Sequence, residues 1–212
     1  MDKKVLRNLS YGVYVVTTKD NDKNVGCVAN SVMQVTSSPS TIAISINHDN
    51  YTNKCIKESN VFAVSMLKED SNPKIIGEFG FKTSKDVNKF ENIEYKVEDN
   101  MPIITDSCGY FICKVIDKME TSTHTVFLGE IVKMDDYTND NPMTYKYYHE
   151  NLKGTSPKNA PTYLENEEVN EEKTIKKWKC KICGYVYEGE KVPEDYICPI
   201  CGQPHTEFYE IN

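Results

Sequence analysis

Residues 180–202 read "CKICGYVYEGEKVPEDYICPICG". Cys-x-x-Cys occurs twice in this stretch, as Cys180/Cys183 and Cys198/Cys201, with 14 residues between the pairs. Each pair can close a tight loop that turns two sulfurs toward one ion, and two such loops complete a tetrahedral four-sulfur site. The 35 residues from 178 to 212 are too few to bury a self-sufficient core, so a metal staple is expected. Tetrahedral sulfur ligation suits zinc or iron, and ligand spacing alone does not separate them.

The other four cysteines, Cys27, Cys55, Cys108 and Cys113, are scattered among apolar strand or helix patterns and read as packed small hydrophobes. Disulfides are rare in reducing compartments, so the clustered set favours metal chemistry. The opening "MDKKVLRNLSYG" has no apolar h-region and no small-residue cleavage site. The longest apolar runs fall well short of the ~18 residues that a membrane span requires. A cytoplasmic protein without a membrane partner is therefore expected. The net charge of −7 and the absence of a basic stripe argue against nucleic acid as a partner.

Composition changes along the chain. Residues 1–163 carry short β-branched and aromatic runs, "GVYVVTT", "VGCVANSVMQVT", "TIAISIN", "VFAVSML", "GYFICKVI" and "TVFLGEIVKM", bounded by turn residues. "KDNDKN" predicts a hairpin turn between the first two runs. Helices are expected at "NYTNKCIKES", capped by Asn50 or Thr52, at "NPKIIGEFGF", with Asn72 before Pro73, and at "TYKYYHENLKG". Many strands and few helices predict a mainly β unit, a barrel or sandwich with helices attached. "LENEEVNEEKTIKK", residues 164–177, is nearly all polar and reads as a linker. Its neighbour "KGTSPKNAPTY", 153–163, reads as an extended arm leaving the barrel. The domains expected are thus 1–163, a linker at 164–177, and 178–212.

"CKICGYVY" and "CPICG" resemble the two knuckles of rubredoxin, with Gly184 and Gly202 after the second cysteine of each pair. Trp178, Tyr185, Tyr187, Tyr196 and Phe208 match that family's small aromatic core, although Tyr196 stands where tryptophan is usual and the segment between knuckles is short. The resemblance implies one iron, cycling between Fe3+ and Fe2+, held by Cys180, Cys183, Cys198 and Cys201, with backbone amides turned toward the sulfurs. A zinc ribbon is the alternative.

The segments "YGVYVVTT", "GCVANSVMQVTSSP", "TIAISIN", "FAVSML" and "THTVFLGEI" resemble the flavin-reductase-like family. That implies an FMN-binding split β-barrel, a homodimer with FMN at the subunit interface, and flavin-dependent oxidoreductase activity. The positions that match are Asn30, Ser31, Val35, Thr36 and Ser37 on one strand and its exit, and Asn47 at the end of the next. Tyr51, Thr52 and Lys54 follow at a helix start, where amides and dipole favour a phosphate. Lys85 stands where relatives often carry arginine, and His124 precedes the penultimate barrel strand, near where the flavin is expected. His48, His149 and His205 read as surface residues.

A split barrel followed by a rubredoxin module resembles the layout of the high-molecular-weight rubredoxins. That implies electron transfer from NAD(P)H or a rubredoxin reductase, through FMN and iron, to a flavodiiron protein that reduces oxygen or nitric oxide. The alternative is an NAD(P)H:flavin reductase carrying a structural zinc ribbon.

Overall fold

A computed structural model describes residues 3–154 and 176–211. The segment 155–175, which holds most of the expected arm and linker, lies outside the described residues.

The strands are β1 (Tyr14–Asp20), β2 (Lys23–Ala29), β3 (Val32–Ser37), β4 (Ser40–Asn47), β5 (Val61–Met66), β6 (Tyr95–Glu98), β7 (Met101–Ile104), β8 (Gly109–Glu120) and β9 (His124–Asp136). Seven of them form one antiparallel sheet in the order β2-β1-β5-β8-β9-β4-β3. The two outer strands, β2 and β3, are consecutive in sequence, so the chain turns at Asn30-Ser31 without pairing them. This leaves a mainly β, split barrel. Long β8 and β9 carry the curvature, with register shifts at Ile112/Cys113 and at Val115/Asp117.

β1 is buried on both faces, and its alternation divides two cores. Val16 joins Ile42, Ile44, Ile56, Phe62 and Phe127 inside the barrel. Val15 faces the other way, with Leu67, Ile75, Ile76, Phe79, Ile104 and Met143. Each fully buried side chain of this kind contributes about 1.5–3 kcal/mol relative to exposure. The outer core is built around α2 (Pro73–Phe81), which begins as its sequence predicts: the Asn72 side chain accepts from the Lys74 amide and Pro73 occupies the first turn. α1 (Tyr51–Ser59) is capped by Asn50 and buries Cys55 and Ile56. α3 (Tyr145–Glu150) is capped by Thr144.

Some expectations needed correction. β6 and β7 form a hairpin that the sequence reading missed; Asp99 and Asn100 make its tight turn, both with positive φ. Cys108 lies just ahead of β8 rather than within a strand. His149 is half-buried, its Nδ1 within 2.8 Å of the Gly154 carbonyl oxygen. His205 is also half-buried, within a 3-10 turn at His205–Glu207.

Gly129 on β9 allows the closest strand-to-core approach. A Cβ there would stand 2.7 Å from both the Cys113 Cβ and the Phe62 ring. Gly129→Val should lower unfolding free energy by about 1–3 kcal/mol through overpacking, read as a lower urea midpoint at unchanged slope.

The module has three short strands, β10 (Lys177–Cys180), β11 (Val186–Glu188) and β12 (Phe208–Ile211), in the order β11-β10-β12. Cys180, Cys183 and Cys198 supply half of its buried core, beside Val192, Ile200 and Phe208. Trp178, Tyr185, Tyr187 and Tyr196 pack around them, as expected.

Candidate flavin cleft and metal centre

The two knuckles are built alike. In each, the glycine after the second cysteine adopts positive φ, 75° for Gly184 and 71° for Gly202. The Gly184 amide donates to the Cys180 carbonyl and the Gly202 amide to the Cys198 carbonyl, both at 2.9 Å. The glycine amides thus close the loops. Amides one residue further on, of Tyr185 and Gln203, turn to the sulfurs of Cys183 and Cys201 and favour their thiolates. The four Sγ atoms lie within 4.8 Å of one another, with Cys180–Cys201 at 3.6 Å and Cys183–Cys198 at 3.5 Å. Metal–sulfur bonds of about 2.3 Å in a tetrahedron place sulfurs about 3.8 Å apart, so the cluster is already shaped for one ion. Cys201 is partly exposed and the other three are buried.

In the barrel, a cleft of about 400 Å³ opens beside the edge strand β2 and the end of β4. That is within the range of ~300–1,000 Å³ usual for small-molecule sites. β2 contributes Cys27, Val28 and Ala29, followed by Asn30. β4 contributes Ser45, Ile46 and Asn47, with Asp49, Asn50 and Tyr51 beyond it. Ile76, Phe79, Gly80 and Phe81 from α2 form an apolar wall, with Lys82 and Thr83 at its end. Tyr145 and Tyr148 from α3 close one side, and His124 stands at the start of β9.

Of the residues singled out by sequence, Asn30, Asn47, Tyr51 and His124 line this cleft. Tyr51 donates to Asp20 at 2.5 Å. The His124 Nδ1 lies 2.8 Å from the Thr123 hydroxyl, and burial, with His48 nearby, lowers its pKa below the usual imidazole value. It is therefore neutral at pH 7 and can both donate and accept. Ser31 sits next to the cleft, donating to Asn30 Oδ1 at 3.0 Å. Thr52 is buried behind the lining, and its amide is taken by the Asn50 cap. Val35, Thr36 and Ser37 are exposed along β3, outside the lining, where the Thr36 hydroxyl pairs with Thr41. Lys54 faces solvent beside Glu58, and Lys85 lies exposed on the loop after α2. The lysine that lines the cleft is Lys82, which the sequence reading passed over; it pairs with Glu78 at 2.6 Å. Tyr145, Tyr148 and the Phe79–Thr83 corner were also missed. The clustered aromatics of "YKYYHE" were the available signal.

Lys89 supports the cleft from behind. Its buried ammonium donates to the Gly26 carbonyl at 2.9 Å and to the Phe79 carbonyl at 3.2 Å, tying β2 to α2. Burial lowers its pKa from 10.5 to about 8. Between those values the unfolded chain binds the proton and the folded chain does not, so this lysine makes stability rise with pH across that window. Lys89→Met should remove this contribution, so the urea-unfolding free energy of the variant should fall relative to wild type as pH goes from 8 to 10.5.

The model for the "Flavin reductase like domain" matches residues 6–156, and that for the "Rubrerythrin, rubredoxin-like domain" matches 178–209. The chain therefore belongs to the flavin-reductase-like family and carries a rubredoxin-like domain after it, a class of flavin-dependent oxidoreductase with an added metal module. It is 36% identical to the "High molecular weight rubredoxin" of Moorella thermoacetica, covering 100% of both chains. It is 37% identical to the "Ferric-chelate reductase (NAD(P)H)" of Archaeoglobus fulgidus, over 79% of this chain and 100% of that protein. Among solved structures, the Streptomyces globisporus NADH:FAD oxidoreductase SgcE6 shares the barrel fold, with a TM-score of 0.62 and 24% identity over 67% of this chain and 85% of that one. No helix among the described residues is long and apolar enough to cross a membrane.

Proposed function

We propose that this chain is a two-centre electron-transfer oxidoreductase, with FMN in the barrel cleft and one iron in the four-cysteine cluster. The observation that carries the proposal is the presence on one chain of a flavin-sized cleft and a preformed four-sulfur site. A bound flavin accepts electrons in pairs and releases them singly, and iron held by four thiolates carries one at a time. Phe79, Phe81 and Ile76 would hold the ring by its apolar faces. Asn30, Asn47, Tyr51 and neutral His124 would meet its polar edges. Lys82 and Thr83 would offer a charge and a hydroxyl to the phosphate. Cys180, Cys183, Cys198 and Cys201 would ligate the iron, with amide hydrogen bonds tuning its potential.

The reductant fits NAD(P)H or a reductase that uses it, since the Archaeoglobus relative is an NAD(P)H-dependent reductase by name. The acceptor fits a flavodiiron protein. The module's acidic surface suits docking on a basic partner. A homodimer is supported by apolar side chains left exposed on neighbouring strands: Ile116 and Met119 on β8, and Val132 and Met134 on β9, the last 67% exposed. Val35 on β3 is exposed as well, so a partner subunit there could bring Val35, Thr36 and Ser37 to a shared flavin site. The reduced cysteines fit a cytoplasmic setting.

The test is composition. Protein purified anaerobically from an iron-replete host should be red and yellow, release FMN on heating and carry one iron per chain. A preparation that binds zinc alone and takes up no added FMN would overturn the reading.

A further inference from the structure

Gly77 stands in the middle of α2, where glycine weakens a helix and so calls for a packing reason. The reason is the second metal knuckle. A Cβ on Gly77 would run into the Ile200 carbonyl oxygen and lie 3.0 Å from the Cys201 Cα. Four residues on, Phe81 at the end of α2 packs against both the outer barrel core and the module core, and also lines the cleft. Tyr148 of α3 lines the cleft too and is buried in the same outer barrel core.

The knuckles themselves supply an independent sign. Ile182 and Ile200 hold equivalent places, each just before the second cysteine of its pair, in loops of matching hydrogen bonding. Ile182 is 49% exposed and Ile200 only 1%. The buried one is in the loop that meets α2.

We propose that α2 is a docking platform for the chain's own rubredoxin-like module, with Gly77 as its positioning residue and Phe81 as the layer between the flavin cleft and the module's core. The proposal rests on the two-centre reading above and adds where the module sits. The knuckle bearing Ile200 faces inward, toward the donor. The knuckle bearing Ile182 stays open, as does Ile197 at 57% exposure, so an acceptor has an apolar landing site while the module remains docked.

The test compares the full-length, FMN- and iron-loaded protein with its Gly77→Ala and Gly77→Arg variants. Alanine is the better helix former, so the first variant should fold even if the second does not. Both lining and ligands are untouched, so FMN and iron content should be unchanged. Undocking should appear as a larger radius of gyration by solution scattering, as loss of hydrogen-exchange protection over 73–81 and 198–202, and as slower bleaching of iron after flavin reduction. Unchanged scattering and protection in a loaded Gly77→Ala protein would overturn the docking proposal. Absence of FMN or iron from the wild-type protein would instead overturn the two-centre reading.

Discussion

Replacing Cys198 with serine should strip the metal from the chain and unfold residues 178–211 while the barrel stays folded. Cys198 is buried at the centre of the cluster, 3.5 Å from the Cys183 sulfur, and its carbonyl closes the second knuckle. Serine keeps the shape but offers a hydroxyl that ionises far less readily than a thiol, and three sulfurs hold the ion poorly. The consequence is large because half of the module's buried core is cysteine. Without an ion to gather those side chains, Val192, Ile200 and Phe208 are left with a ring of half-buried aromatics. Structural four-ligand sites contribute about 10–16 kcal/mol of apparent binding free energy at neutral pH, far more than a core of this size supplies alone. Elemental analysis should find less than one metal in ten chains, and the red absorption should be gone. The barrel's two cores do not include the cysteine ligands, so flavin content should stay at the wild-type level. A Cys198→Ser protein retaining one iron per chain would contradict the assignment of the ligands.

Ser45→Trp should empty the cleft of flavin. Ser45 lies on β4, between Ile44 in the barrel core and Ile46, and its side chain lines the cleft rather than the interior. An indole there occupies the space assigned to the ring, while the strand keeps its pairing with Val126 of β9. FMN affinity should fall at least about tenfold, equivalent to about 1.4 kcal/mol. Flavin fluorescence quenching on titration measures this. Circular dichroism and iron content should be unchanged, since the metal ligands are elsewhere in the chain. Full flavin occupancy in a folded Ser45→Trp protein would mean that the ring binds outside this cleft.

The metal centre was the most legible part of the molecule, because all four ligands fall within residues 180–201 and local turn chemistry brings them together. The main strands were legible for a similar reason: β-branched runs such as "TIAISIN" mark themselves, and Asn50, Asn72 and Thr144 announce helices through their capping side chains. The β6–β7 hairpin was harder, since two four-residue strands carry little periodic signal and Pro102 stands within the second of them. The cleft was legible only in part. Its lining runs from Val13 to Tyr148, and no local spacing records that α2 and α3 will close over β2 and β4. Polar residues near a helix start drew the reading to Thr52 and Lys54, yet the Asn50 cap already uses that helix start and the lysine side chain points to solvent. The cation that lines the cleft, Lys82, follows an apolar helix end and looks like an ordinary terminal lysine until the fold brings it there.

Electrons entering at the cleft should reach the four-cysteine centre of the same assembled molecule. Stopped-flow mixing of the FMN- and iron-loaded protein with a reductant, following flavin and ferric absorption separately, tests it most directly. Flavin absorption should fall first, and iron bleaching should follow with a first-order rate independent of protein concentration. Iron bleaching that scales with protein concentration, or iron that stays oxidised after the flavin is reduced, would contradict it.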